Sequence, residues 1–448
     1  MKISKIITNT NSDSNPNNYI KKLLKNIGRL TQPHLTKLLT SNNYDIKKHW
    51  TIDDSYPNKV QPLLYDNKNS NSDLLLNFTT RDLYSKPFKI LSLDGGGTRG
   101  IITNTILQRI NKHNPKFLSS IDLICGTSVG GLLSLLHSSG YSVDDVQDIF
   151  NFAAPHIFQY NPWRQINPFK SRYSDKSKQE IFEYYFGNRK MMDLKKLVAI
   201  VAFRLDGKKS KTHSFFNKEG WRPAIFSNMP KASGLVEPDI DLHVWDAAMR
   251  TSAAPTYFPV FKGYTDGAIV ANNPSIIGVS KAIAHYPNVN TKNIAVLSIG
   301  AGTFPRHTNV FSSAKDDDLT TSKTHKLGLQ VNHADWGIKQ WYPFLLDLLL
   351  DGDSVTTEMV MNYLLSTSGL YHRVDPLLPR QITIDDVKSM KEMIDFANSI
   401  DLTETFRFID HKFMDHNFDS TSDYNNSLDH ATNYHEAWEN SGINKTKI

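Results

Sequence analysis

The stretch from Phe88 to His137 constrains the fold more than any other part of this chain. Phe88-Lys89-Ile90-Leu91-Ser92-Leu93 is a short, almost continuously apolar run that reads as a buried strand. It meets the loop Asp94-Gly95-Gly96-Gly97-Thr98-Arg99-Gly100 and then Ile101 to Ile110, where apolar residues recur at helical period. Ile121-Asp122-Leu123-Ile124-Cys125 reads as a second strand, Gly126-Thr127-Ser128-Val129-Gly130 as a turn, and Gly131 to His137 as the start of a second helix. Strand, loop, helix, strand, turn, helix is the pattern of a parallel sheet, because parallel strands need crossovers long enough to hold a helix. Two more continuous apolar runs, Leu197 to Phe203 and Ile294 to Ile299, suit interior strands of such a sheet.

At 448 residues the chain accommodates one large α/β domain with additions, or two or three separate ones. Apolar residues at 39% and charged residues at 21% fit a globular protein rather than a disordered or membrane-spanning one. The N-terminus lacks the apolar run of a secretory signal, and the most apolar segment, Phe344 to Leu350, is short and carries Asp347. A cytoplasmic or peripheral-membrane location is expected. The single cysteine, Cys125, excludes an intramolecular disulfide and, within an apolar strand, reads as a buried, inert thiol.

The net charge of +6 is unevenly spread. Residues 1–60 hold ten Lys/Arg against four Asp, and residues 164–222 hold fifteen Lys/Arg against six acids. These regions are either solvated surface or faces for anionic lipid; no nucleic-acid motif accompanies them.

Residues 9–18 are too polar to build a core. Ile20, Leu23, Leu24, Ile27 and Leu30, with Lys21, Lys22, Lys25 and Arg29 between them, predict a basic amphipathic helix that lies on a membrane or packs on the main domain. Residues 53–73 read as a linker. The expected division is an N-terminal extension 1–87, a catalytic core 88–303, and a mostly helical addition 304–448 with a polar tail from Asp415. Within the addition, Thr356 to Leu365 and Ile384 to Ile400 read as helices and Tyr371 to Pro376 as a returning strand. Trp336, Trp341, Tyr342, Pro343, Phe344 and Leu345 form an interfacial lip or pack inside the addition.

A serine hydroxyl attacks an ester only when it is exposed, has a base nearby and finds donors waiting for the oxyanion. Gly126-x-Ser128-x-Gly130 between strand and helix makes the sharp elbow that presents such a serine, at a helix N-terminus that favours negative charge. Gly95-x-Gly97-x-x-Gly100 formally matches a dinucleotide fingerprint, but the next strand ends in Cys125 and the serine elbow instead of an acidic residue. No Gly-Lys-Ser/Thr follows, so a P-loop is excluded too. Three consecutive glycines can instead aim backbone N–H groups at a reacting carbonyl. None of the sixteen histidines lies in a context that singles it out as base. A carboxylate does stand out, Asp266 in Tyr264-Thr265-Asp266-Gly267-Ala268 at a tight turn beside a glycine, although spacing alone favours a plain turn there.

The chain resembles the patatin-like phospholipases, a family related in fold to the catalytic domain of cytosolic phospholipase A2. The matching pieces are Asp94–Gly100, Gly126–Gly131, Arg250–Pro259, Asp266-Gly267-Ala268 with Asn272-Asn273-Pro274, and Leu297–Thr303, in the family's order and within about residues 88–303. The resemblance implies a three-layer α/β fold with a mainly parallel central sheet flanked by helices, here with helical N- and C-terminal additions. It implies a Ser-Asp dyad without a catalytic histidine: Ser128 as nucleophile and Asp266 as its activator, with Gly95, Gly96 and Gly97 as the oxyanion hole and the Val129 or Gly131 amides assisting. Arg99 sits where the family has a basic residue, which either holds a lipid phosphate or makes a structural ion pair, and Asp94 orders the glycine loop. The implied activity is lipid acyl hydrolysis of phospholipase A type, through an acyl-serine, at a peripheral membrane surface. A serine esterase for neutral lipids or galactolipids, and a lipid-binding protein with a vestigial site, are the alternatives. This chemistry requires no metal or cofactor.

Overall fold

The computed structural model describes residues 63, 87–207, 220–229, 239–304, 341, 345–365, 368 and 370–414. The amphipathic helix expected at residues 20–30, the linker at 53–73 apart from Leu63, most of the aromatic lip and the tail from Asp415 lie outside them. The chain divides into two units, Met1–Lys59 and Val60–Ile448, and the described residues all belong to the second.

Strands β1 (Phe88–Leu93), β2 (Leu123–Thr127), β3 (Leu197–Arg204), β4 (Arg222–Ser227), β5 (Tyr264–Asp266), β6 (Ile294–Ile299) and β7 (Tyr371–Val374) form one sheet in the order β4-β3-β2-β1-β6-β7, with β5 also paired to β3. The pairings β1–β2, β2–β3, β1–β6 and β6–β7 are parallel; β4 and β5 run antiparallel to β3. The helices that matter for the site are α1 (Gly100–His113), α2 (Val129–Ser139), α3 (Val143–Ile157), α4 (Lys176–Phe186), α5 (Val244–Thr251), α6 (Ala268–Ala271), α7 (Ser275–His285), α8 (Leu345–Leu365) and α9 (Met390–Ser399).

Strand periodicity divides the interior into two cores and so produces three layers. Leu91 and Leu93 of β1, Ile124 of β2, Val198 and Ile200 of β3 and Leu297 of β6 point to one face, where they pack with side chains of α1 to α5 and α9. Phe88, Ile90, Leu123, Cys125, Ala199 and Val296 point to the other, against Val279 and Ala282 of α7 and Met361 and Leu365 of α8. Both faces are covered, which is why β1 and β6 are apolar along almost their whole length.

Three boundaries differ from expectation. The helix expected from Thr356 begins at Leu345, so residues 345–350 already belong to it. The helix expected from Ile384 begins at Met390, after a 3-10 turn at Val387–Ser389. Asp266 closes a three-residue strand instead of occupying a tight turn. The returning strand does form, and adds an edge to the sheet from beyond residue 303. Among the described residues no helix is long and apolar enough to cross a membrane.

Candidate active site

Between the end of β2 at Thr127 and the start of α2 at Val129 stands one residue, Ser128, with φ 53° and ψ −123°. A left-handed φ on a non-glycine residue is strained and persists only where the surroundings hold it. Two glycines let the surroundings come close enough: a side chain at Gly126 would run into the Gly130 carbonyl, and one at Gly130 into the Leu93 carbonyl at the end of β1. Thr251, the last residue of α5, does the holding. Its Oγ1 accepts the Ser128 amide at 2.9 Å and donates to the Val201 carbonyl at 2.6 Å.

Asp266 reaches the serine by sheet register. Thr127 at the end of β2 pairs with Val201 of β3, and the next residue of β3, Ala202, pairs with Asp266. As β4 occupies the other edge of β3, strand β5 takes over the edge where β2 stops, and its last residue faces the elbow. Ser128 Oγ donates to Asp266 Oδ2 at 2.6 Å, and the Ala268 amide donates to Oδ1 at 2.9 Å. Asp266 is 1% exposed. Burial pushes its carboxyl up to about 6, against the opposing pull of the Ser128 hydroxyl, the Ala268 amide and the Lys178 charge. That range suits a base working near neutrality. Among the described residues no histidine hydrogen-bonds to either side chain; the Nε2 of His372, which follows Asp266 in the chain, pairs at 3.0 Å with Thr405 Oγ1.

The glycine loop lies across from the elbow, and its members differ. The Gly95 amide donates to the Asn272 carbonyl at 3.1 Å, so it is already engaged. The Gly96 and Gly97 amides have no partner among the described residues, and both glycines line the same cavity as Ser128, Val129 and Asp266. Arg99 is not among the residues lining that cavity. Its Nη1 donates to the Gly302 carbonyl at 3.0 Å and its Nε to the Gly96 carbonyl at 3.4 Å, which ties the loop to the end of β6. Asp94 pairs with Arg373 of β7 at 2.7 Å, and the same guanidinium meets Asp375 at 2.8 Å and Glu358 of α8 at 3.3 Å. The loop is therefore fastened from beneath by a residue of the edge strand.

The cavity runs from Ser128 and Asp266 between α2, α3 and α4. Leu132, Leu136, Ile149, Phe150, Phe182 and Phe258 supply much of its apolar wall. An apolar cavity ending at a serine hydroxyl has the lining that suits a hydrocarbon chain. Cys125 has no part in it: the thiol is buried, donates weakly to the Leu91 carbonyl at 3.7 Å and is pushed up to about 12 by burial.

Sequence reasoning brought Ser128 and Asp266 together through the resemblance; it left out Thr251 and Lys178. Lys178 also lines the cavity, and its signal was periodicity: it stands three, four, seven and eight residues before Ile181, Phe182, Tyr185 and Phe186, the buried stripe of α4.

Residues 91–277 match the family model described as patatin-like phospholipase. The chain is 25% identical to patatin-like protein 4 of Arabidopsis thaliana, over 75% of this chain and 85% of that one. It is 27% identical to protein teg of Priestia megaterium, over 72% of this chain and 98% of that protein. It is 32% identical to a cGAMP-activated phospholipase of Escherichia coli, over 47% of this chain and 61% of the relative.

Proposed function

Because this chain belongs to the patatin-like phospholipase family of lipid acyl hydrolases, we propose that it cleaves fatty acyl esters of membrane phospholipids, as a phospholipase A, through Ser128 and Asp266. One observation carries the reading: a 2.6 Å serine–carboxylate hydrogen bond at the end of an apolar cavity. In this reaction Asp266 takes the hydroxyl proton as Ser128 Oγ bonds to the ester carbonyl carbon. The Gly96 and Gly97 amides, with the Val129 amide at the start of α2, receive the developing oxyanion. The ester C–O bond breaks, and Asp266 returns the proton to the departing alcohol. Water then attacks the acyl-serine, with Asp266 accepting its proton and restoring it to Ser128 as the fatty acid leaves. Arg99 acts here through the loop, by holding the Gly96 carbonyl and so aiming the amides.

A membrane surface is the proposed site of action, and the segment after α3 supports it. Tyr160, Trp163 and Phe169 are 70%, 75% and 92% exposed. Arg164 and Lys170 accompany them with no acid from Gln159 to Ser174, while Arg172 is paired with Asp385 at 2.7 Å. Exposed aromatic rings beside basic side chains suit the headgroup layer of an anionic bilayer. Phe158, where α3 ends, lines the cavity, so this segment borders its wall.

The test is fatty-acid release from defined phospholipid vesicles, triacylglycerol emulsions and a p-nitrophenyl ester. Wild type should release fatty acid fastest from phospholipid, and Ser128→Ala should lose at least roughly a thousandfold. Full activity of Ser128→Ala would overturn the catalytic reading. Faster turnover of triacylglycerol than of phospholipid would replace the substrate class with neutral lipid.

A further inference from the structure

Lys178 is 2% exposed, yet the proposed reaction gives it no step. Burying an ammonium costs several kcal/mol unless partners compensate, so the question is what surrounds it. It stands in the first turn of α4 and faces the cavity that holds the dyad. Its Nζ donates to the Ser252 carbonyl at 2.8 Å and lies 3.9 Å from the centre of the Phe258 ring. The next carbonyl along the chain, that of Ala253, accepts the Asp266 amide at 3.0 Å and the Thr265 hydroxyl at 2.8 Å. Lys178 and Asp266 are thus fastened to consecutive peptides of one short segment.

The charges that act across this arrangement are few. Burial lowers Lys178 to about 7, while Asp266 and Asp175 pull it up. Around Asp266, the Ser128 hydroxyl and the Ala268 amide act as hydrogen-bond donors and Lys178 is the charged neighbour. Neither contact of the ammonium is with a carboxylate: one is a carbonyl and the other a ring face. Both leave its charge uncancelled in the cavity that Ser128 and Asp266 also line, where it acts on the Asp266 carboxylate.

We propose that Lys178 is a positioning residue of the dyad: held on the Ser252 carbonyl and the Phe258 face, its ammonium keeps the Asp266 carboxylate ionised and ready to take the Ser128 proton. The proposal rests on the Ser128–Asp266 reading, and two readouts keep the two apart. The first is the rate of Ser128 labelling by a fluorophosphonate from about pH 5 to about pH 9, which follows Asp266 ionisation whatever lipid is the natural substrate. The second is the thermal midpoint of each variant, which reports structural damage. Lys178→Met removes both charge and donor, Lys178→Gln keeps a donor for the Ser252 carbonyl, and Lys178→Arg keeps the charge.

A nearby unit charge moves a buried carboxyl by about one pH unit or more. The acid limb of the labelling profile should therefore move up by about one unit in Lys178→Met and Lys178→Gln, which slows labelling about fivefold at pH 6 and progressively less toward pH 8. Lys178→Arg should leave the limb in place; should it fail to fold, the Met and Gln pair still decides. A limb that stays at the wild-type position in both, with only the thermal midpoint lowered, overturns the proposal and leaves Lys178 a structural residue. Failure of wild-type Ser128 to label at any pH overturns the dyad reading itself.

Discussion

Replacing Asp266 by Asn should abolish activity and at the same time stabilise the folded protein at alkaline pH. The carboxyl is raised from an ordinary 3.8 to about 6, chiefly by burial. A raised carboxyl binds its proton more tightly in the folded chain than in the unfolded one. Its contribution to stability is thus fully present below pH 3.8 and is lost as the pH rises through about 6. Each pKa unit corresponds to about 1.4 kcal/mol, so at pH 8 the ionised carboxylate makes the fold about 3 kcal/mol less stable than the neutral form would. Asparagine has the same shape: its oxygen can accept the Ala268 amide, and its NH2 can donate to Ser128 Oγ, which then acts as acceptor. Lys178, lowered to about 7, is mostly neutral at pH 8, so loss of its counter-charge matters little there. The assay is urea unfolding of wild type and Asp266→Asn at pH 8 and pH 4. The variant should be more stable by about 3 kcal/mol at pH 8, with most of the gain gone at pH 4. A variant no more stable than wild type at pH 8, or a gain equal at both pH values, would refute the reasoning that burial places Asp266 in strained ionisation.

Two further substitutions test the supports of the site. Thr251→Val keeps the shape of α5 but strips a partner from both the Ser128 amide and the Val201 carbonyl; unfolding should become easier by about 1–3 kcal/mol, with slower fluorophosphonate labelling, and unaltered labelling would show that the elbow holds its strained φ without Thr251. Arg373→Met leaves Asp94, Asp375 and Glu358 without the guanidinium that joins them; a loss of about 3–5 kcal/mol in chemical unfolding is expected, and a loss under about 1 kcal/mol would show that the glycine loop does not depend on β7.

What the sequence revealed and what it hid divide along a physical line. Strands β1, β3 and β6 were legible because a strand covered on both faces is apolar at nearly every position, and the boundaries of β6 fell where the run ended. Strand β5 was not, because Tyr264-Thr265-Asp266 is too short to show a period and its location depends on β2 ending one residue before β5 begins along β3. The catalytic role proposed for Asp266 thus came from resemblance alone, while its geometry is a matter of register between segments 138 residues apart. The same holds beneath the glycine loop, where Asp94 finds Arg373 across 279 residues. Arg99, conspicuous beside three glycines, fastens backbone carbonyls.

Lys178 was hidden for a different reason. Residues 164–222 form a basic region, and a lysine among fifteen basic side chains reads as part of a solvated surface. Charge counts average over faces, whereas a helix separates them: Lys176 is exposed in the same turn, and Lys178 falls on the stripe of Ile181, Phe182, Tyr185 and Phe186. A lysine in phase with an apolar stripe is anomalous in a way that a lysine in a basic region is not. Helical phase therefore marks a buried charge where composition cannot, and in this chain the charge so marked lines the same cavity as the carboxylate on which the proposed chemistry turns.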